Sequence, residues 1–172
     1  MGLDICAYSK LVEAPDARRD QDGELEDWEH YRQFRESDDF PGRLEGLKPD
    51  VAYQVGGETF EFRAGSYTGY CAWRNQLAQM AGYPLTRYEG PDGETEGYDA
   101  GAWFSSEGPF FEQINFTDSD GTLGPSASAR LAADYAAHAD KAEQIGGVFW
   151  ALYQQWQQAF SLAKDDGAVV FG

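Results

Sequence analysis

Phe62-Arg63-Ala64-Gly65-Ser66-Tyr67-Thr68-Gly69-Tyr70-Cys71-Ala72-Trp73-Arg74 carries a strand pattern into a glycine-flanked turn and the turn into a helix. Upstream, Phe60 and Phe62 alternate with Glu61 and Arg63, the two-residue period of a strand with one apolar face. Downstream, Tyr70, Trp73, Leu77 and Met80 recur at three and four residues and share one helical stripe. Ser66 stands where an N-cap is wanted, and Gly82 followed by Pro84 closes the helix.

The rest of the chain is organised around that unit. Residues 3–12 read as a strand, and 30–36 as a second, more weakly patterned one. Residues 14–29 read as an acidic, solvated loop, and Asp39-Phe40-Pro41-Gly42 as a turn. Residues 51–55 and 58–63 flank Gly56-Gly57, which predicts a β-hairpin. Residues 87–101 read as a flexible polar loop, a lid or an insert. Residues 110–116 read as a strand and 117–121 as a turn.

Gly124-Pro125-Ser126 opens a helix whose packed side is Leu131, Tyr135, His138 and Ala142. A further helix follows Gly146-Gly147, with Val148, Leu152, Trp156, Phe160 and Ala163 as its stripe. Residues 167–171 form a last strand, placed beside the first. This order does not alternate as a parallel α/β sheet does. It predicts one α+β domain over residues 1–172, a mostly antiparallel sheet with about three helices on one face.

The composition narrows the function. A 172-residue chain with 42% hydrophobic and 15% aromatic residues can bury a real core. No apolar run approaches the roughly 18–20 residues of a membrane span. Met1-Gly2-Leu3-Asp4 lacks the basic and apolar regions of a secretory leader, so a soluble cytoplasmic protein is expected. Cys6 and Cys71, the two cysteines, are expected to be reduced and small buried hydrophobes. A catalytic Cys71 would need His30 or His138 as its base, and neither is near it in sequence.

Thirty acids against thirteen bases give a net charge of −17, which excludes non-specific nucleic-acid binding through a basic face. That charge favours a basic protein partner, and it permits mimicry of DNA by the acidic tract at residues 20–29.

The mouth of the helix at Ser66 is the candidate ligand site. Free N–H groups and the helix dipole there favour an anion. Gly65 allows close backbone approach, Ser66 adds a hydroxyl, and Arg63 at the strand end adds a cation. Tyr67 offers a ring, with Tyr70, Trp73 and Arg74 as secondary contacts. Ring, cation and helix N-terminus together suit a nucleotide or another phosphorylated small molecule. The competing reading makes Ser66 a cap and the aromatics core. Gly-Ser-Tyr-Thr-Gly is neither a Walker loop nor a dinucleotide fingerprint.

Asp118-Ser119-Asp120-Gly121 resembles part of a calcium loop but lacks the distal Glu, so a plain turn is expected. Glu107 and Glu112 are one carboxylate pair among many. No Cys/His spacing suits a metal, and no cofactor is expected. The expected function is a non-enzymatic binding protein for a nucleotide-like ligand. An acidic inhibitor of a host defence protein and a hydrolase of a phosphorylated compound are the alternatives.

Met1-Gly2-Leu3-Asp4-Ile5, the 62–70 segment, Trp73-Arg74-Asn75-Gln76-Leu77-Ala78 and Ile114-Asn115-Phe116-Thr117-Asp118 together carry a resemblance over most of the chain. They resemble a group of small uncharacterised acidic proteins of bacteria, prophages and phages. The resemblance implies a phage or mobile-element setting. Small proteins in that setting often counter host defence, by sequestering a nucleotide signal or by blocking a defence protein.

Overall fold

A computed structural model describes residues 2–90, 93–105, 107–117 and 121–172. Its fold is α+β. Four strands, β1 (Leu3–Tyr8), β5 (Thr59–Gly65), β8 (Gly121–Leu123) and β9 (Ala168–Phe171), form an antiparallel sheet in the order β5-β1-β9-β8. The last strand does lie beside the first, with Ala7 opposite Val169. Strands β2 (Leu11–Glu13), β3 (Tyr31–Gln33) and β4 (Ala52–Val55) make a second sheet, ordered β2-β4-β3. The remaining strands, β6 (Thr86–Gly90) and β7 (Gly93–Gly97), pair as a hairpin.

The three long helices are α1 (Tyr67–Ala81), α4 (Pro125–Ile145) and α5 (Gly147–Ala163). They cover one face of the four-stranded sheet, where Leu3, Ile5, Ala7, Val169 and Phe171 are buried. Trp156 sits at the centre of this core, within 5.0–6.1 Å of the rings of Phe62, Tyr70, Trp73, Phe160 and Phe171. The local signals for α1 hold. Ser66 Oγ accepts from Gly69 N–H at 3.0 Å, and Gly82 adopts φ 94° at the C-cap. The stripe of α5 is Phe149, Tyr153, Trp156, Phe160 and Ala163, one residue on from the expected start. Val148 is 85% exposed because the α4–α5 turn presents it to solvent.

Gly56-Gly57 does not close a hairpin. β4 pairs with β2 and β3, whereas β5 pairs with β1. The chain runs β1–β2 alongside β4–β5 as one ribbon, bent where it passes from the first sheet into the second. At the bend Ser9 N–H donates to Glu58 O and Gly56 N–H donates to Lys10 O, at 3.0 and 2.9 Å. A Cβ on Gly56 would lie 2.7 Å from Lys10 O, and one on Gly57 would strike Ser9 Oγ. The glycines are needed for close approach of two backbones, the usual role of glycine at a sheet corner.

Two further expectations are corrected. The expected loop at 87–101 contains, in its described residues, the strands β6 and β7 and the start of α2 (Tyr98–Ser105). Tyr88 packs edge-on against Trp103 at 5.0 Å, and Asn75 Oδ1 on α1 accepts from Tyr98 N–H at 2.6 Å. These partners are distant in sequence, so no local pattern announces them. Residues 110–116 hold a helical turn, α3 (Phe111–Ile114), instead of a strand. Glu112 and Gln113 are both buried along with Phe110, Ile114 and Phe116, a pattern that the two-residue period of a strand does not give. The helical turn instead brings Glu112 to Arg130 and Gln113 to Tyr135, whose hydroxyl donates to Gln113 Oε1 at 2.6 Å.

Candidate functional site

The seven residues expected at the helix mouth divide into two groups. Arg63, Gly65, Ser66 and Tyr67 lie together at the surface where β5 hands over to α1. Gly65 takes φ 105°, a conformation that a side chain would strain. Ser66 caps the helix, and Tyr67 is 41% exposed. The Arg63 side chain is 59% exposed and pairs with Asp4 at 3.5 Å.

Tyr70, Trp73 and Arg74 are not at this mouth. All three are buried on the inward face of α1. Trp73 Nε1–H donates to Phe149 O at 3.3 Å, and the ring stacks on Phe149 at 5.5 Å. Burial pushes the Tyr70 phenol up to about 12, so it stays neutral. Arg74, 4% exposed, donates from Nη1 to Phe116 O at 3.0 Å and lies over the Tyr70 ring at 5.6 Å. Each is committed to the interior, away from the four residues at the surface. Helical spacing alone puts Tyr70, Trp73 and Arg74 on one side of α1.

A second surface region also brings ring and cation together. A groove of about 810 Å³ lies between the outer face of the four-stranded sheet and the segment that carries β3. Tyr8, Thr122 and Val170 line it from the sheet, and Trp28, Tyr31, Arg32, Gln33 and Arg35 line it from the segment. Its size falls within the roughly 300–1,000 Å³ of small-molecule sites.

Arg32 organises this wall. Its Nε–H donates to Tyr8 Oη at 3.0 Å, and Nη1 donates to the carbonyls of Trp28, Tyr31 and Glu29 at 2.6, 2.9 and 3.3 Å. Its guanidinium also sits 5.3 Å from the Tyr8 ring centroid. One arginine thus ties the turn at 28–31 to the sheet. Burial, helped by the neighbouring Cys6 thiol, raises the pKa of Tyr8, so its hydroxyl keeps its proton.

Arg35 and Trp28 are left available. The Arg35 side chain is 74% exposed and approaches Glu24 only to 3.7 Å. Trp28 is 69% exposed, far outside the usual range for the largest apolar side chain. Sequence reasoning passed over both because they lie at and beyond the end of the acidic tract. A lone Trp28 in that tract, followed by Arg32 and Arg35, was the available signal.

The acidic tract itself is largely a set of local turns. Asp20 Oδ1 accepts from Asp22 N–H and Glu24 N–H, both at 2.9 Å, and Asp27 holds His30 at 2.8 Å. Asp22, Glu26 and Glu29 remain as exposed carboxylates.

Other chemistry is weakly supplied. Burial, with Glu61 adding to it, raises the Cys6 thiol and makes it a poor nucleophile. Cys71 is exposed rather than buried, which corrects the expectation for it. Glu112 is tied to Arg130, and Asp134 accepts from Phe110 N–H at 2.8 Å. The Asp118–Asp120 turn lies outside the described residues. Among the described residues, no three His, Cys, Asp or Glu side chains come together as a metal site. No family model matches the chain, and neither a curated protein nor a solved structure matches it.

Proposed function

We propose that the protein is a non-enzymatic binding protein that holds a phosphorylated, nucleotide-like small molecule in the groove between Trp28–Arg35 and the outer face of the sheet. The observation that supports this reading is an exposed indole, Trp28 at 69%, on the same wall as the exposed cation Arg35. The ligand's ring stacks on Trp28, and its phosphate takes Arg35 from Glu24. Stacking on an aromatic side chain is worth about 1–3 kcal/mol per base. A charge-assisted hydrogen bond to phosphate adds more than a neutral one. Arg32 positions the wall, because its donors already serve Tyr8 and three carbonyls. The net charge of −17 opposes any anion at long range, so the ligand needs both contacts at once. Such sequestration fits the counter-defence setting implied by the resemblance to phage and prophage proteins.

Calorimetric titration with a panel of linear and cyclic nucleotides tests this reading. The expected result is saturable binding without turnover by chromatography. Trp28→Ala and Arg35→Ala should each weaken it at least about fivefold, following the stacking and phosphate magnitudes. Arg63→Ala should leave it unchanged. Loss in Arg63→Ala with retention in Trp28→Ala would return the site to the helix mouth. No heat with any nucleotide would remove the reading altogether, and product formation would make the protein a hydrolase.

A further inference from the structure

β5 is an edge strand of the four-stranded sheet, paired with β1 on one side only. Among the described residues, the backbone groups of 60–64 have no hydrogen-bond partner other than β1. An unpaired edge invites another strand, and proteins usually blunt it with proline, charged side chains or a bulge. Thr59–Gly65 lacks proline and lysine, and its two charges, Glu61 and Arg63, are of opposite sign and so can pair with a second copy. Its one irregularity is Ala64, an extra residue between the pairs Asp4–Arg63 and Leu3–Gly65. That bulge confines a regular ladder to a short stretch.

From these observations we infer that the free edge of β5 is where a second copy of this chain docks, joining two four-stranded sheets into one eight-stranded sheet. The register follows from symmetry and charge. In a two-fold antiparallel pair, some residue must face its own copy. Centring on Glu61 sets Glu against Glu, and centring on Arg63 sets Arg against Arg, both unfavourable. Centring on Phe62 sets Glu61 opposite Arg63 of the second copy, twice over by symmetry. Both side chains are exposed on the outer face of the sheet. Arg63, already 3.5 Å from Asp4 of its own chain, then lies between two carboxylates.

The inner face is complementary as well. Phe60 and Phe62 are half-buried and stacked at 5.7 Å, and Phe62 meets Trp156 edge-on at 5.0 Å. A second copy covers the open side of these rings with its own Phe62 and Ala64. This extends the aromatic core across the junction. The charge of −17 on each copy is an opposing term. At physiological ionic strength it is screened beyond a Debye length of about 8 Å, whereas the paired charges are in contact. The short ladder and this repulsion make the dimer reversible and dependent on concentration. The inference is independent of the groove ligand, and it gives Arg63 a role that needs no anion.

Sedimentation equilibrium of the full chain, from micromolar to millimolar, tests the inference. The wild type should show a monomer–dimer equilibrium. Glu61→Arg and Arg63→Glu should each weaken it at least about tenfold, since each turns two attractive cross-strand pairs into repulsive ones. The double exchange Glu61→Arg with Arg63→Glu should restore it. A wild type that stays monomeric at millimolar concentration overturns the inference, as does association that ignores the single reversals or is not recovered by the double one. Circular dichroism checks that the variants fold. Should a reversal unfold the chain, hydrogen exchange on the wild type decides. Protection of those amides in 60–64 that point away from β1 must rise with concentration, and flat protection refutes the docking edge.

Discussion

Arg63 and Arg74 stand eleven positions apart on one strand–turn–helix unit, yet their surroundings give them opposite duties. Arg63 makes an exposed pair with Asp4, and such pairs contribute about 0–1 kcal/mol. Arg74 is sealed inside, donating to Phe116 O and covering the Tyr70 ring. Arg74→Ala removes a packed stem and leaves a buried carbonyl without its donor. It should cost about 2–4 kcal/mol in urea unfolding, whereas Arg63→Ala should stay within about 0.5 kcal/mol. Equal effects of the two substitutions would show that Arg74 is not held as described. Residue type alone does not separate the pair. Position relative to the buried stripe does, because Arg74 follows Trp73 and lies a turn beyond Tyr70 on the inward side of α1.

At the scale of elements, the bent ribbon of β1–β2 and β4–β5 joins the two sheets and gives Tyr8 to the groove. Its outer face contributes Tyr8 to a second, smaller core with Leu11, Phe34, Leu44 and Tyr53. That core holds the base of the segment leading to Trp28 and Arg35. The bend depends on Gly56 and Gly57 lying against Ser9 and Lys10. Gly57→Ala should therefore lower stability by about 1–3 kcal/mol through overpacking. It should also loosen the 24–35 segment, seen as faster hydrogen exchange there. A simple hairpin turn at Gly56-Gly57 would tolerate the change with no effect on that segment. From sequence alone the glycine pair reads as a chain reversal, whereas it is a bend in a continuing strand ribbon. Its pairing partners, more than forty positions away in β1 and β2, are not local.

Over the whole molecule, charge is the dominant surface property. Thirty acids and thirteen bases on 172 residues make the folded state repel itself. Raising sodium chloride from low to near-molar concentration should therefore raise the melting temperature. The shift should be about 2–4 °C for each kcal/mol of repulsion screened, in a domain of this size. Thermal unfolding by circular dichroism measures it, and a falling melting temperature would mean that specific ion pairs outweigh the net charge. The same imbalance shapes recognition. Wherever an anion binds this surface, exposed cations must be gathered locally, and the groove gathers Arg35 beside Trp28 while Arg32 fixes the wall.

Local signals determined what local forces control. Ser66 as N-cap, Gly82 as C-cap, Pro125 at the start of α4 and the apolar stripes follow from backbone geometry and amphipathic period. From these come three long helices, the strand before α1 and the α+β class. Tertiary structure alone decided how the strands are shared between two sheets, why residues 110–116 turn helically, and which distant groups, Phe116 O among them, enclose Arg74. It also decided where ring and cation meet. The groove draws on Tyr8, on residues 24–35 and on Thr122 and Val170, segments that only the closed sheet brings together. Sequence periodicity reports which face of an element is buried. It does not report which distant element buries it, because that choice is made by packing the whole chain at once.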